Sequence, residues 1–350
     1  MRLKQRGVDL VIRLTAVPGR VGWVARRLLG WTEPKDINEL YRMLLGRRPE
    51  PSEIEAKLGT HWRVALGDLL SSEEYEHPQE EDFAARFLER IGAFSISVDV
   101  TSKQLDRLFQ DTRNYWQAAG SDVQTAYWSV LSADAWLGSQ NRDQVLAFYE
   151  TGRGNAESLI GIAENLRPDF CLSEARVLDF GCGVGRVLRH FVGRAAHCEG
   201  WDFSRSHLQL LEDNFNDLFQ LDRSAFATRM LDSPDLEPID AEFDFAYSLL
   251  ALQHNPPPVM ARMLRILLRS LAPGGLALVH LTTAPAIEGY AFSLDEYHKA
   301  EHRRMEMHAL SRESIFDIAR EEGVTVPWAR YTNWCGPSFL NELIAFAKTD

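Results

Sequence analysis

Val177–Arg186 reads VLDFGCGVGR. Four residues of buried-strand character end at Asp179 and Phe180, and Gly181, Gly183 and Gly185 follow in GxGxG spacing. Glycine is needed where a chain turns tightly or where a ligand must approach the backbone with no Cβ in the way. A strand that feeds a glycine loop and then a helix predicts a ligand crevice at the carboxyl end of a parallel sheet. The last glycine of the dinucleotide pattern GxGxxG is absent, and Arg186 stands in its place.

Downstream of this stretch the pattern alternates. HCEGWDF, FATRML, FDFAYSLL and LALVHLT are expected strands. Val184–Val192, Ser204–Phe219, Val259–Leu271 and SRESIFDIAREEG are expected helices, with APGG a turn before the fifth strand. Units of this length predict an α/β fold with a doubly wound, mostly parallel sheet of seven strands. VTVPWARYT and FLNELIAFAK follow each other with no helix between, so an antiparallel hairpin at one edge is expected.

Upstream the pattern is helical. DQVLAFYETGRGNAESLIGIAENL, SKQLDRLFQDTRNYW and EDFAARFLERI carry apolar residues at helical spacing, and no strand is expected before Arg176. These runs predict an all-α N-terminal region. The expected division is a basic amphipathic segment over 1–31, a helical domain over 32–125 and the α/β domain over 126–350.

The chain has 350 residues and a net charge of −12, which disfavours a nucleic-acid partner. Within residues 1–31, Arg2, Lys4, Arg6, Arg13, Arg20, Arg26 and Arg27 face one acid, Asp9. Two readings of this segment stay open. Its helices pack on the protein, or they lie on an anionic membrane surface as a peripheral contact. No stretch approaches the roughly 20 apolar residues of a membrane span. Cys171, Cys182, Cys198 and Cys335 show no CxxC spacing, so a reduced, cytoplasmic setting is expected.

Two acids extend the glycine loop. Asp202 ends the second strand, where a carboxylate can accept both hydroxyls of a ribose; it also suits a helix N-terminal acid before Ser204. Asp232 follows the third strand, where an adenine amino group would need an acceptor; it also suits a turn. VLDFGCGVGR, GWDFS, RMLDSPDLEP, FDFAYSLLALQHNP and LAPGGLALVHLT together resemble a class I S-adenosylmethionine-dependent methyltransferase domain across about 200 residues. The resemblance implies S-adenosyl-L-methionine as cofactor. It places Asp179, Gly181, Cys182, Gly183 and Gly185 around the methionine portion, Asp202 at the ribose, and Leu231 and Asp232 beside the adenine. Phe203 and Leu249 complete the implied set, and Tyr149, Gly152 and Arg153 would close over the amino-acid end. LYRMLLGRRPEPSEIEAKL with LLSSEEY is similar to phycobilisome-linker-like helical domains over about 40 residues, which implies a surface-polysaccharide context.

Methyl transfer needs the nucleophile held in line and, for a protonated nucleophile, a base. Gln253-His254-Asn255 after the fourth strand is the best-placed polar cluster. His254 is the candidate base, or else a histidine bonded in its loop; His280 and Tyr290 are weaker candidates. NPPP at Asn255–Pro258 lacks the aromatic residue that would stack on a flipped base. His298-Lys299-Ala300-Glu301-His302 matches HxxEH, but it sits in the polar insertion Ala284–Leu310, and no metal is expected. The expected function is methyl transfer to a small-molecule or glycan acceptor, at oxygen or nitrogen. The alternative is a catalytically silent cofactor-binding scaffold in an envelope or polysaccharide biosynthesis assembly.

Overall fold

A computed structural model describes Ser52 and residues 94–138, 140–235, 243–285, 290–299, 305–332, 334–335 and 338–349. The basic segment 1–31 and the linker-like helices lie outside the described residues. The chain divides into two compact units, Met1–Arg86 and Phe87–Asp350, and the second unit is described below.

Its elements run β1 (Ser95–Ile96), α1 (Ser102–Ser121), α2 (Arg142–Glu150), α3 (Arg153–Leu166), β2 (Arg176–Phe180), β3 (His197–Asp202), α4 (Arg205–Asp213), β4 (Phe226–Met230), β5 (Phe243–Ser248), α5 (Pro257–Arg269), β6 (Leu271–Pro285), β7 (Ala291–Phe292), α6 (Leu294–Tyr297), α7 (Arg312–Glu321), β8 (Val324–Thr332) and β9 (Phe339–Lys348). Seven strands form one sheet in the order β4-β3-β2-β5-β6-β9-β8. The pairs from β4 to β6 are parallel, and β9 pairs antiparallel with both β6 and β8. The expected edge hairpin is therefore present, with its inner strand β9 inserted beside β6. The order reverses at β2, so the loop after β2 opens at the switch point of the sheet.

The two-residue period of the strands sorts the core. Leu178, Phe180, Trp201, Ala246 and Val279 pack on one face with α1, α5 and α7. Val177, Phe245, Tyr247, Leu278 and Leu343 pack on the other with α2, α3 and α4. Helix α1 is held by a capping box at Thr101 and Gln104, and its Leu108 and Phe109 belong to the same cluster as the sheet residues.

Three local expectations are corrected. Val184–Val192 is a series of turns around a 3₁₀ helix, Leu188–His190, and not a regular helix. Gly185 at φ +78 bars a continuous right-handed start. The APGG turn lies inside β6, where the pairing with β5 shifts register between Phe243 and Phe245. A strand does precede Arg176: β1 pairs in parallel with β7 of the insertion. That pairing ties the segment before α1 to the insertion after β6.

Candidate functional site

Asp202 closes β3 and organises the ligand crevice. Its Oδ2 accepts the Gly183 amide at 2.8 Å and its Oδ1 accepts the Ser204 amide at 2.8 Å. A carboxylate offers about four acceptor sites, so each oxygen keeps capacity for a ligand. The Gly181 and Cys182 amides both donate to the Trp201 carbonyl, at 2.8 and 3.1 Å. The glycine loop is thus pinned to the end of the neighbouring strand. Gly183 has φ +53, and a Cβ there would stand 2.6 Å from Cγ2 of Val130. Val130 and Ser129 form a roof segment that rests directly on the loop backbone.

A cleft of about 800 Å³ opens here. Asp179, Gly181, Cys182, Gly183, Asp202, Phe203, Leu231 and Leu249 all line it, so eight of the residues singled out from sequence converge. The others do not. Tyr149 is buried beneath the loop, where its hydroxyl donates to the Val184 carbonyl at 2.6 Å. Arg153 pairs with Glu150, and both face solvent. Together Tyr149 and Arg153 border a different groove, beside Arg189 and Phe219. Gly152 permits close packing, since its Cβ would lie 2.2 Å from the Arg186 carbonyl oxygen. Gly185 serves in the same way against Leu211 and Phe215. Asp232 is exposed, and its carbonyl accepts from Arg113 Nη1 at 3.4 Å.

Residues not singled out as site residues also line the cleft. Arg186 is buried beside Asp179, with Nη1 on Asn155 Oδ1 at 3.0 Å and Thr151 Oγ1 at 3.4 Å. Both partners are neutral, and among the described residues no carboxylate pairs with the guanidinium. The signal was its place in the motif, where GxGxxG has its last glycine. Burial pushes the Asp179 carboxyl up to about 7; the Arg186 charge opposes this and the Asp202 charge adds to it. His207 presents Nε2 to Ser129 Oγ at 2.9 Å and to the Ala126 carbonyl at 3.2 Å, which fastens the roof to α4.

His254 lies next to the cleft, in a cavity of about 480 Å³ that shares the Trp116 wall. Its ring meets Trp116 edge-on at 5.9 Å. Its Nδ1 lies 3.1 Å from the Glu306 carbonyl. A carbonyl only accepts, so Nδ1 carries the proton and Nε2 the lone pair. Burial lowers its pKa from the ordinary value, which keeps the ring neutral. The insertion is held over this cavity: the Met305 amide donates to the Tyr115 hydroxyl at 2.7 Å and the His308 amide to the Gln253 carbonyl at 2.8 Å. His280 of β6 is wholly buried against Thr332 of β8 and Asn341 of β9, and the Tyr290 hydroxyl sits 3.3 Å from His308 Nδ1. Glu301 and His302 of the HxxEH match lie outside the described residues; α6 stops at Tyr297. Among the described residues no metal-ligating cluster is present and no helix is long and apolar enough to cross a membrane.

A family model described as a methyltransferase domain matches residues 154–326. No curated protein matches. Among solved structures, the chain is similar to magnesium protoporphyrin IX methyltransferase from Synechocystis PCC 6803 with bound SAH. The identity is 17%, covering 69% of this chain and 99% of that one, with TM-score 0.46. A methyltransferase from Bacillus halodurans C-125 is 15% identical over 56% of this chain and 100% of that one, TM-score 0.42. An amino pentose methyltransferase from Micromonospora echinaspora with SAM bound is 17% identical over 55% and 91%, TM-score 0.38. The family match spans the glycine loop, Asp202 and the strands that position them. Residues 154–326 carry a methyltransferase domain of that family, which uses S-adenosylmethionine.

Proposed function

We propose that this chain transfers the methyl group to an oxygen or nitrogen of a small-molecule or glycan acceptor, with the cofactor held across the carboxyl ends of β2, β3 and β5. One observation carries the reading: Asp202, the glycine loop and His254 are assembled around two cavities that meet at Trp116. The open acceptor sites of Asp202 suit two vicinal ribose hydroxyls. Phe203 and Leu231 supply the apolar walls an adenine needs. Asp179 and Arg186 face the cleft as an acid and a base pair without a mutual ion pair, which suits the ammonium and carboxylate of an amino-acid tail. The fit is chemical at every point along the cleft.

The bound cofactor would supply an activated methyl on a good leaving group. The protein's part is orientation and proton handling. The Val130 roof and the insertion exclude water. His254 Nε2, approached by the Gln253 amide nitrogen at 3.4 Å, takes the proton of an acceptor hydroxyl during attack, or the proton that a neutral amine sheds once its nitrogen is alkylated. The neutral ring and fixed tautomer suit it to that task.

Calorimetry with S-adenosylhomocysteine is expected to give micromolar binding, and release of that product from S-adenosylmethionine is expected in the presence of a small-molecule cell extract. Binding without turnover in any extract would favour the silent scaffold. No binding by folded protein would remove the proposed cofactor contacts.

A further inference from the structure

Arg153 lies away from the cofactor cleft, in a second groove of about 1210 Å³, where Arg189 and Arg194 join it. Among the described residues none lines both the groove and the cleft. The turn between α2 and α3 stands between them. Thr151, inside that turn, accepts through Oγ1 from Arg186 Nη1 at 3.4 Å, and Arg186 lines the cleft. Glu150 and Arg153, at the two ends of the turn, line the groove. Tyr149 lines it as well, and its carbonyl meets His190 Nε2 at 2.8 Å. Leu146, Val192, Phe219 and Leu221 add an apolar lining.

The three guanidinium groups differ. Arg153 Nη2 donates to Glu150 Oε2 at 3.0 Å, and Arg194 Nη1 donates to Glu157 Oε1 at 2.6 Å. Each of these four side chains is at least 42% exposed, so both pairs are screened by water and contribute little. Arg189 has no such partner among the described residues. Its guanidinium lies over the Phe219 ring, 4.4 Å from the centroid, and its Nε is buried with no acceptor. An aromatic face attracts the charge but leaves the in-plane N–H donors unmet. A buried donor without an acceptor is costly. Burial, and after it the nearby Arg153 charge, lower the Arg189 pKa from its ordinary value. Like charges are thus held close together, and the one acid lining the groove among the described residues, Glu150, is already committed to Arg153.

We propose that this groove is a second ligand site, which binds a phosphate monoester on an apolar or aromatic body. The phosphate sits on Arg189 and Arg153, and the body lies against Leu146, Phe219 and Leu221. A phosphate brings three acceptor oxygens and a charge of about −2, so it can take two guanidinium forks at once. It meets the unsatisfied donor of Arg189 and relieves the repulsion between the two cations. The Phe219 ring already holds the Arg189 plane, so little freedom is lost on binding. Glu150 competes for Arg153 only through an exposed pair, which an incoming dianion can replace. Arg194 extends the positive field along the groove. The ligand neither supplies nor receives the methyl group, because the α2–α3 turn stands between this groove and the cleft. Its phosphate can belong to a soluble metabolite or to a lipid headgroup, and the recognition chemistry is the same for both.

Two probes test this on the full chain. Calorimetry with phenyl phosphate should show saturable one-to-one binding, about tenfold or more tighter than phenol, the same body without the phosphate. Vesicles of phosphatidic acid, against vesicles of phosphatidylcholine, offer the same group on a lipid. Arg189→Met keeps an apolar stem over Phe219 and should weaken the phosphate probe by about tenfold or more. Arg153→Gln alters only an exposed side chain, guards against a folding defect, and should weaken the same probe several-fold. Phenyl phosphate binding that both variants weaken assigns a soluble ester. Sedimentation with phosphatidic acid alone, lost in both variants, assigns a lipid headgroup. Binding of neither probe, or binding that both variants leave unchanged, overturns the proposal. Binding that Arg186→Gln removes and Arg189→Met spares puts the phosphate in the cofactor cleft and overturns it too. Methyl transfer is read separately, from S-adenosylhomocysteine binding and release, and stands or falls on its own.

Discussion

The carboxylate of Asp202 and the amide of Gly183 are joined by a 2.8 Å hydrogen bond across 19 residues of sequence. The tip of β3 and the loop after β2 are therefore one unit, and a change at Asp202 reaches the glycine loop as well as any ligand. Asp202→Ala should weaken S-adenosylhomocysteine binding by about 1.5–3 kcal/mol, the scale of hydrogen bonds to a charged group. Asp202→Asn keeps an acceptor for one amide and should lose less. Calorimetry on both variants checks the order, and equal affinities for wild type and Asp202→Ala would move the ribose contact elsewhere.

Gly183 is constrained twice, by φ +53 and by Val130 Cγ2 at 2.6 Å from the place a Cβ would occupy. Gly183→Ala should destabilise the fold by about 1–3 kcal/mol through the left-handed backbone and the clash together. Adding Val130→Ala should recover only the clash. Thermal unfolding of the single and double variants separates the two contributions; full recovery in the double variant would show that the backbone conformation costs nothing.

The sheet was legible because its strands are short apolar runs between helices, with RVLDF and HCEGWDF ending on the acids that matter. Eight cleft-lining residues were legible because backbone topology alone delivers the ends of β2, β3, β4 and β5 to one cleft. The roof was not. Ser129 and Val130 reach Gly183 from beyond α1, and His207 meets Ser129 across 78 residues of sequence, with no periodic signal to announce either contact. Tyr149 and Arg153 show the reverse. They sit near the loop in sequence, yet Tyr149 turns beneath Val184 and Arg153 turns to Glu150. Arg186 was visible as a departure from GxGxxG, but only its burial in the cleft on two neutral hydrogen-bond partners sets it apart.

Asp179 should couple cofactor binding to protons. Its carboxyl is pushed up to about 7 by burial, against an ordinary value of 3.8. A raised folded-state pKa contributes stability that is present below the unfolded value and is lost as pH rises through about 7. The unliganded protein should therefore lose stability between roughly pH 4 and pH 7, on the order of a few kcal/mol at most, and Asp179→Asn should flatten that slope. An ammonium group beside the carboxylate favours its ionised form. Binding of S-adenosylhomocysteine near pH 6 should then release a proton, measurable by calorimetry in buffers of different ionisation enthalpy. A binding enthalpy independent of buffer would separate Asp179 from the ammonium.

Arg186 should read the carboxylate of the same tail. Arg186→Gln keeps the length and can still bond Asn155, but it removes the charge. It should weaken S-adenosylhomocysteine by about 1.5–3 kcal/mol and leave 5′-methylthioadenosine, which has no amino-acid tail, nearly unchanged. Competition binding with the two nucleosides checks this. Equal losses for both would mean that Arg186 supports the loop and does not touch the ligand.

His254 is the sharpest test of the chemistry. Its Nδ1 is committed to the Glu306 carbonyl at 3.1 Å, its Nε2 lies 3.4 Å from the Gln253 amide nitrogen, and its ring meets Trp116 edge-on. If Nε2 accepts the proton of the nucleophile, His254→Ala should lower kcat by about 100-fold or more while cofactor affinity holds. The loss should shrink as pH rises, because hydroxide and an already deprotonated amine bypass the base. A merely structural histidine would instead lower stability and affinity together, with no change in the pH profile. Burial lowers the pKa of His254, so the acid limb of the wild-type kcat profile should fall below the ordinary histidine value of about 6.5. An acid limb at or above that value would assign the base to another group.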